Sequence, residues 1–276
     1  MNRQGNMAET YRRLLRSSDL PELEAKILLE TATARPRAWL IAHLDDEADE
    51  AQVHLARRLY ARRHAGEPIA YITGEREFFS LELGITPDVL IPRPETELLV
   101  DLAIELAPNR AGRVIDLGTG SGAVAIALAK HLPDAEVWAC DVSGQALNVA
   151  RNNAERHNAA VRFLRSDWFG DVPLGRFDVI VSNPPYVAAE DEHLEEGDVR
   201  YEPRRALVGG ADGLECIRTI VAQAVERLES DGWLLFEHGY DQAPRCRDLL
   251  HACGYQDVTS WTDLAGIPRV TGGCKA

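Results

Sequence analysis

Several protein classes are excluded by what this chain has little of. Cysteine occurs five times in 276 residues (Cys140, Cys216, Cys246, Cys253, Cys274), scattered and with no C-x-x-C pair. That usage speaks against a disulfide framework or a zinc site and for a reducing compartment, so a cytoplasmic location and no metal centre are expected. Positive charge is in the minority, with 30 Lys and Arg against 44 Asp and Glu and a net charge of -14. A dedicated nucleic-acid binder neutralises phosphates with basic side chains, so direct nucleic-acid binding is not expected. No uninterrupted apolar run reaches membrane-spanning length, and Met1-Asn2-Arg3-Gln4-Gly5 opens onto a charged helical pattern, so no membrane partner is expected. Internal repeats and low-complexity tracts are absent from the sequence as well. What remains is an ordinary globular composition, 45% apolar and 27% charged, long enough for one large domain and a small one.

Residues 1–74 read as a helical domain, with apolar residues at helical spacing from Met7 to Leu15. Asp19 and Pro21 open a second helix, a helical turn around Trp39-Leu40-Ile41 follows Pro36, and Asp45 or Asp46 caps a longer helix to about Ala65. Arg57, Arg58, Arg62 and Arg63 lie on the other faces of that helix, a stripe that reads as a solvated surface. Residues 75–93 read as a β-hairpin linking two domains, with strands Phe78–Leu83 and Val89–Ile91 around Thr86-Pro87-Asp88. They deliver Ile91-Pro92-Arg93-Pro94-Glu95-Thr96-Glu97; a capped helix start explains Pro94 and Glu95 but explains Arg93 and Glu97 less well.

Within residues 94–276, strands and helices alternate at βα spacing, the pattern of a parallel α/β sheet with helices on both faces. Strands are predicted at Arg113–Leu117, Glu136–Cys140, Val161–Leu164, Phe177–Ser182 and Trp233–Glu237, and two more near Asp257–Trp261 and Arg269–Gly272. In such sheets ligands bind off the carboxyl ends of the strands. The first strand runs into Asp116-Leu117-Gly118-Thr119-Gly120-Ser121-Gly122, where glycines let the backbone approach a ligand closely. The spacing lacks the third glycine of a pyrophosphate loop, and Asp116 suits a cationic ligand better than a phosphate. The second strand ends in Asp141, placed either to accept from a ribose diol or to cap the helix beginning at Ser143. The third leads to Ser166-Asp167-Trp168, whose polar group and ring suit an adenine, although Trp168 also reads as core. The fourth, Val179-Ile180-Val181, stops at Asn183-Pro184-Pro185-Tyr186, because prolines cannot donate to a ladder. An amide there, with the Pro184 carbonyl, is able to grip a planar –NH2 group, and Tyr186 offers a flat face.

This combination resembles the class I S-adenosylmethionine-dependent methyltransferases, and Asn183-Pro184-Pro185-Tyr186 narrows it to enzymes that methylate planar –NH2 nitrogens. Two groups share that motif, the N6-adenine DNA methyltransferases and the glutamine methyltransferases of peptide chain release factors (the PrmC/HemK family). Gly66-Glu67-Pro68-Ile69-Ala70-Tyr71-Ile72-Thr73-Gly74, Ile91–Glu97 and Tyr201-Glu202-Pro203 with Ala206-Leu207 are similar to the second group, over essentially the full length. The resemblance implies a Rossmann-like seven-stranded domain preceded by a helical substrate-recognition domain. It implies S-adenosyl-L-methionine as cofactor, held by Asp116, Gly118, Thr119, Gly120, Ser121, Gly122, Asp141, Asp167, Trp168 and Asn183. The implied acceptor is the Gln of the Gly-Gly-Gln loop of peptide chain release factors 1 and 2, met by Asn183, Pro184, Pro185 and Tyr186 together with Arg93 and Glu97. The acidic balance and small helical domain count against the nucleic-acid alternative, and intact Asn183 and Tyr186 against a non-enzymatic binding protein.

Overall fold

A computed structural model of the chain describes residues 9–107 and 112–276. It divides into two compact units, Met1–Gly74 and Glu75–Ala276. The start expected for the first helix at Met7 lies outside the described residues; α1 runs Tyr11–Ser17 behind a Thr10 cap. It is followed by α2 (Glu22–Thr33), α3 (Arg37–Ala42), α4 (Glu50–His64) and α5 (Ile69–Thr73). Ala25, Leu28, Leu29 and Ala32 make one buried face of α2, spaced as a helix facing a core requires. They pack with Leu14, Leu40, Leu59 and Tyr60. The cap expected at Asp45 or Asp46 is instead Asp49, which accepts from the Ala51 amide at 2.8 Å. An antiparallel bridge between Thr10 and Glu47 holds the preceding residues extended, and Asp45 is taken by Arg12. The arginine stripe of α4 is partly neutralised, with Arg57, Arg62 and Arg63 paired to Glu9, Glu67 and Glu24.

The second unit opens with a hairpin, β1 (Glu75–Phe78) and β2 (Leu81–Gly84), displaced from the expected one. Its turn is Phe79-Ser80, both residues left-handed at φ 51° and 61°. Hairpin turns of that twist favour Asn-Gly, so the sequence hides this one behind the stronger signal Thr86-Pro87-Asp88. Two carboxylates hold it: Glu97 accepts the Phe79 amide at 2.8 Å and Glu77 the Ser80 amide at 2.6 Å. Residues 89–91 are irregular rather than a strand, and the Ile91 amide goes to the Glu202 carboxylate.

A short 3-10 turn at Pro94–Thr96 leads into α6 (Glu97–Leu106). Then come β3 (Arg113–Leu117), α7 (Ala123–His131), β4 (Glu136–Asp141), α8 (Gly144–Arg156), β5 (Val161–Arg165) and β6 (Phe177–Ser182). They are followed by α9 (Glu215–Arg227), β7 (Leu228–Glu237), α10 (Ala243–Ala252), β8 (Gln256–Thr262) and β9 (Pro268–Cys274). These strands form a seven-stranded sheet in the order β5-β4-β3-β6-β7-β9-β8, with β9 antiparallel to both neighbours. β7 begins at Leu228 rather than at Trp233, because Leu228 pairs with Phe177 across an irregularity that the polar run Glu229-Ser230-Asp231-Gly232 conceals. The β-branched run of β6 is fully buried between neighbours on both sides, as a central parallel strand demands. Strand order reverses between β3 and β6, which is where an open α/β sheet leaves a crevice.

Candidate active site

A cavity of about 280 Å³ opens at that reversal. One wall comes from the ends of β3, β4 and β5 and carries Asp116, Gly118, Thr119, Gly120, Ser121, Asp141, Asp167 and Trp168. The loop after β3 folds back so that the Gly118 and Thr119 amides both reach the Cys140 carbonyl at 2.9 Å. Gly122 turns the chain into α7 at φ +83°, and a Cβ there would lie 3.1 Å from the Ala150 Cβ of α8. It serves helix packing and does not line the cavity, unlike Gly118 and Gly120.

Asp116 is 2% exposed and accepts the Thr119 hydroxyl at 2.6 Å. Burial pushes its carboxyl up to about 7, against the opposing pull of Thr119 and a backbone amide, with the charge of Asp141 adding a little. Among the described residues no basic side chain pairs with it. Asp141 is not the cap of α8, which is Ser143, whose hydroxyl accepts from the Ala146 amide at 3.2 Å. One Asp141 oxygen takes the Ser143 amide at 2.8 Å at the start of α8, and the other takes the Gly120 amide at 3.0 Å. Burial raises its pKa as well, opposed by those amides. Two lone-pair positions remain on a carboxylate so bound, and Asp141 lines the cavity. Trp168 sits at φ 47°, and its ring lies against Gly118.

The facing wall holds Val89, Leu90, Pro92, Thr96, Asn183 and Pro185. Asn183 leaves β6 next to the reversal, and the Ser182 hydroxyl fastens that strand end to the Leu117 carbonyl at 2.8 Å. Asn183 Nδ2 donates to Thr96 Oγ1 at 3.1 Å, and Thr96 donates to Glu237 Oε2 at 2.6 Å. Tyr186 donates its hydroxyl to the other oxygen of Glu237 at 3.1 Å. Glu237 ends β7 and is 2% exposed; burial raises its pKa, opposed by these two hydroxyls and by Arg269. Burial and the Glu237 charge raise that of Tyr186. The backbone of the motif is clamped too. Gln242 Nε2 donates to the Tyr186 carbonyl at 3.0 Å, and a Cβ on Gly209 would lie 2.3 Å from the Pro185 carbonyl oxygen.

Two relatives match nearly end to end. The release factor glutamine methyltransferase of Burkholderia pseudomallei is 53% identical, over 96% of this chain and 95% of its own length. That of Bordetella pertussis is 51% identical, over 94% and 97%. The profile described as PrmC N-terminal domain matches residues 7–74, and the one described as methyltransferase small domain matches 95–197. The chain belongs to the release factor glutamine methyltransferase family. Its catalytic unit has the class I methyltransferase fold. A T. thermophilus 16S rRNA methyltransferase solved with AdoMet and guanosine superposes with a TM-score of 0.56 at 23% identity, over 73% of this chain and 50% of that one.

As a release factor glutamine methyltransferase, the chain is a methyltransferase dependent on S-adenosylmethionine, and the cavity fits that cofactor. Asp116 is a buried carboxylate without a cation, suited to an ammonium; Asp141 suits a ribose diol, and Asp167 with Trp168 an adenine. The structure brings these residues together with Asn183 and Pro185. Pro184 is buried and Tyr186 is turned to Glu237; neither lines the cavity. Arg93 and Glu97, expected beside the substrate, do structural work instead. Arg93 is paired with Glu202, whose other oxygen takes the Ile91 amide at 3.0 Å, and Glu97 caps the hairpin turn. Sequence reasoning missed Glu237, Gln242 and Gly209 and gave Thr96 no role. The strand-end rule that singled out Asp116, Asp141 and Asn183 applies equally to Glu237, so its signal was present.

Proposed function

We propose that this chain transfers a methyl group from S-adenosyl-L-methionine to the N5 amide nitrogen of the Gln in the Gly-Gly-Gln loop of class 1 release factors 1 and 2, leaving S-adenosyl-L-homocysteine. The observation that carries this reading is the Asn183 amide standing in the same cavity as Asp116 and Asp141, in a chain of this family. An amide nitrogen is a poor nucleophile because its lone pair is delocalised into its carbonyl. Asn183 Oδ1 accepts one N–H, which orients the nitrogen and stabilises the positive charge that grows on it; the Pro184 carbonyl, expected to accept the other, belongs to a buried residue outside the cavity lining. When bound, the cofactor supplies an electrophilic methyl on a sulfonium. Asp116 holds its ammonium end and Asp141 its ribose. The N-methylated amide then loses one proton to water, so no strong base is required. Tyr186 acts from behind the pocket, through Glu237.

A single Gln in a tripeptide loop is too small a feature to select one protein, and specific interfaces bury about 800 Å² per partner. The helical unit, residues 1–74, carries no cofactor motif and supplies the docking surface for the release factor body. Purified chain, labelled S-adenosylmethionine and a release factor should give one methyl on the Gly-Gly-Gln glutamine by mass spectrometry, with none on DNA. Transfer to DNA but not to the factor would replace this reading with the N6-adenine one. Deleting residues 1–74 should preserve cofactor binding and slow full-length factor to the rate of a short Gly-Gly-Gln peptide. An undiminished rate would move recognition to the catalytic unit.

A further inference from the structure

Asn183 offers the cavity either an oxygen or an NH2 group, depending on how its amide is turned, and the hydrogen bonds behind it decide which. An ionised carboxylate only accepts, so along the 2.6 Å contact between Thr96 and Glu237 the proton belongs to Thr96. A hydroxyl has one proton. With that proton committed to Glu237, the Thr96 oxygen faces Asn183 only as an acceptor, and the Asn183 atom at 3.1 Å must be the donor Nδ2. Oδ1 is thereby left pointing away from Thr96. The second Glu237 oxygen is fixed by the Tyr186 hydroxyl at 3.1 Å, so the carboxylate is held from both sides. Burial raises the pKa of Glu237, and the Thr96 and Tyr186 hydroxyls and the charge of Arg269 pull it back toward the ionised form that the relay uses. Glu237 at the end of β7 holds Thr96 on the Pro94–Thr96 turn, and Thr96 in turn holds Asn183 just past the end of β6.

Resting on the function proposed above, we infer that Thr96 and Glu237 are positioning residues that lock Asn183 Oδ1 toward the acceptor, and so make the site select a group bringing N–H donors over an isosteric carboxylate. A Gln side chain satisfies Oδ1; a Glu side chain in its place sets oxygen against oxygen. The relay gives the enzyme its choice of amide over acid through Thr96 on the cavity wall and Glu237 behind it.

The test uses the full-length chain, a release factor as substrate and its Gln→Glu variant as competitive inhibitor. The wild type should methylate the factor and bind the Glu variant about tenfold or more weakly, the loss expected from one opposed hydrogen-bonding group. Thr96→Val keeps the shape and removes the hydroxyl. It should lower kcat about tenfold and bring the two affinities within about threefold of each other, since Asn183 is then free to turn. Thr96→Ser, which restores the hydroxyl, should recover most of both. Glu237→Gln gives the same loss of discrimination, because the amide facing Thr96 is able to donate as well as accept. Cofactor affinity should stay within about twofold in all three, which separates the relay from general damage. If Thr96→Val melts too early to assay, Glu237→Gln and Thr96→Ser decide alone. Unchanged discrimination in Glu237→Gln, or Thr96→Ser as impaired as Thr96→Val, overturns the relay. A wild-type chain that leaves the factor unmethylated overturns the proposed function itself, and the wild-type control tells the two failures apart.

Discussion

The two walls of the cavity are built on different plans. The cofactor wall is the shorter-range one: each functional group lies at the end of its own strand, with Thr119 supporting Asp116 and Ser143 supporting Asp141 within a few residues, and Gly120 reaching Asp141 from the neighbouring strand's loop. The acceptor wall is long-range. Asn183 is oriented by Thr96, 87 residues away, and Thr96 by Glu237, 141 residues away. The shorter-range wall holds its shape once the adjacent strands β3 and β4 and their loops form. A long-range wall exists only when β6, β7 and the Pro94–Thr96 turn are all in place, so it reports on the whole fold and gives a more constrained side chain in return.

The comparison predicts separable defects. Asn183→Ala should cut turnover about a hundred- to a thousand-fold, the usual cost of losing one group that meets charge developing in the transition state. Its dissociation constant for S-adenosylmethionine should hardly move; a large rise there would merge the two walls into one. Asp141→Ala should weaken cofactor binding roughly ten- to a hundred-fold, the equivalent of 1.5–3 kcal/mol for hydrogen bonds to a charged group. Calorimetry showing wild-type affinity would remove Asp141 from the site.

A pH series sharpens the cofactor wall further. The Asp116 carboxyl is pushed up to about 7, so below that pH the fraction able to pair with an ammonium falls. Cofactor affinity should drop by up to about tenfold for each pH unit below 7, and Asp116→Asn should bind weakly and without that slope. For stability the sign is opposite. A carboxyl whose folded pKa lies above its unfolded value binds its proton more tightly when folded, so it destabilises the unliganded protein above pH 7 and is relieved as the pH falls toward 4. Asp116→Asn should therefore raise the melting temperature of the unliganded protein at pH 8 by a few degrees, read by calorimetry. A lower melting temperature would mean that the Thr119 contact outweighs the burial of charge. The smallest effect belongs to Glu97. Replacing it with Ala should cost about 1 kcal/mol through the hairpin turn and leave the Michaelis constant for the release factor unchanged. A raised Michaelis constant would return Glu97 to the substrate.

How much of this was legible in the sequence follows the same division. Alternating strands and helices and the strand-end residues Asp116, Asp141, Trp168 and Asn183 are written locally, and the sheet carries them where the pattern says. Arg93 and Glu97 were noticed for the right reason, that a helix cap does not explain them, yet their partners Glu202 and the Phe79 amide are fixed only by the folded chain. The hairpin was misplaced because its turn uses Phe79 and Ser80 at positive φ, a conformation that local propensity assigns to glycine and asparagine. Glu237 stands at a strand end as Asp116 and Asn183 do, but its sequence context does not tell a buried carboxylate from an exposed strand end. Only the packing shows it buried between Thr96 and Tyr186.

The most direct test of the separation is a single-turnover measurement of methyl transfer to a release factor at rising S-adenosylmethionine for wild type, Asp141→Ala and Asn183→Ala. With the cofactor wall serving binding and the acceptor wall serving chemistry, Asp141→Ala should climb to near the wild-type rate at saturation. Asn183→Ala should saturate early at a rate about a hundredfold or more below it. An Asn183→Ala enzyme rescued by excess cofactor, or an Asp141→Ala enzyme that excess cofactor fails to rescue, would contradict the division of labour between the two walls.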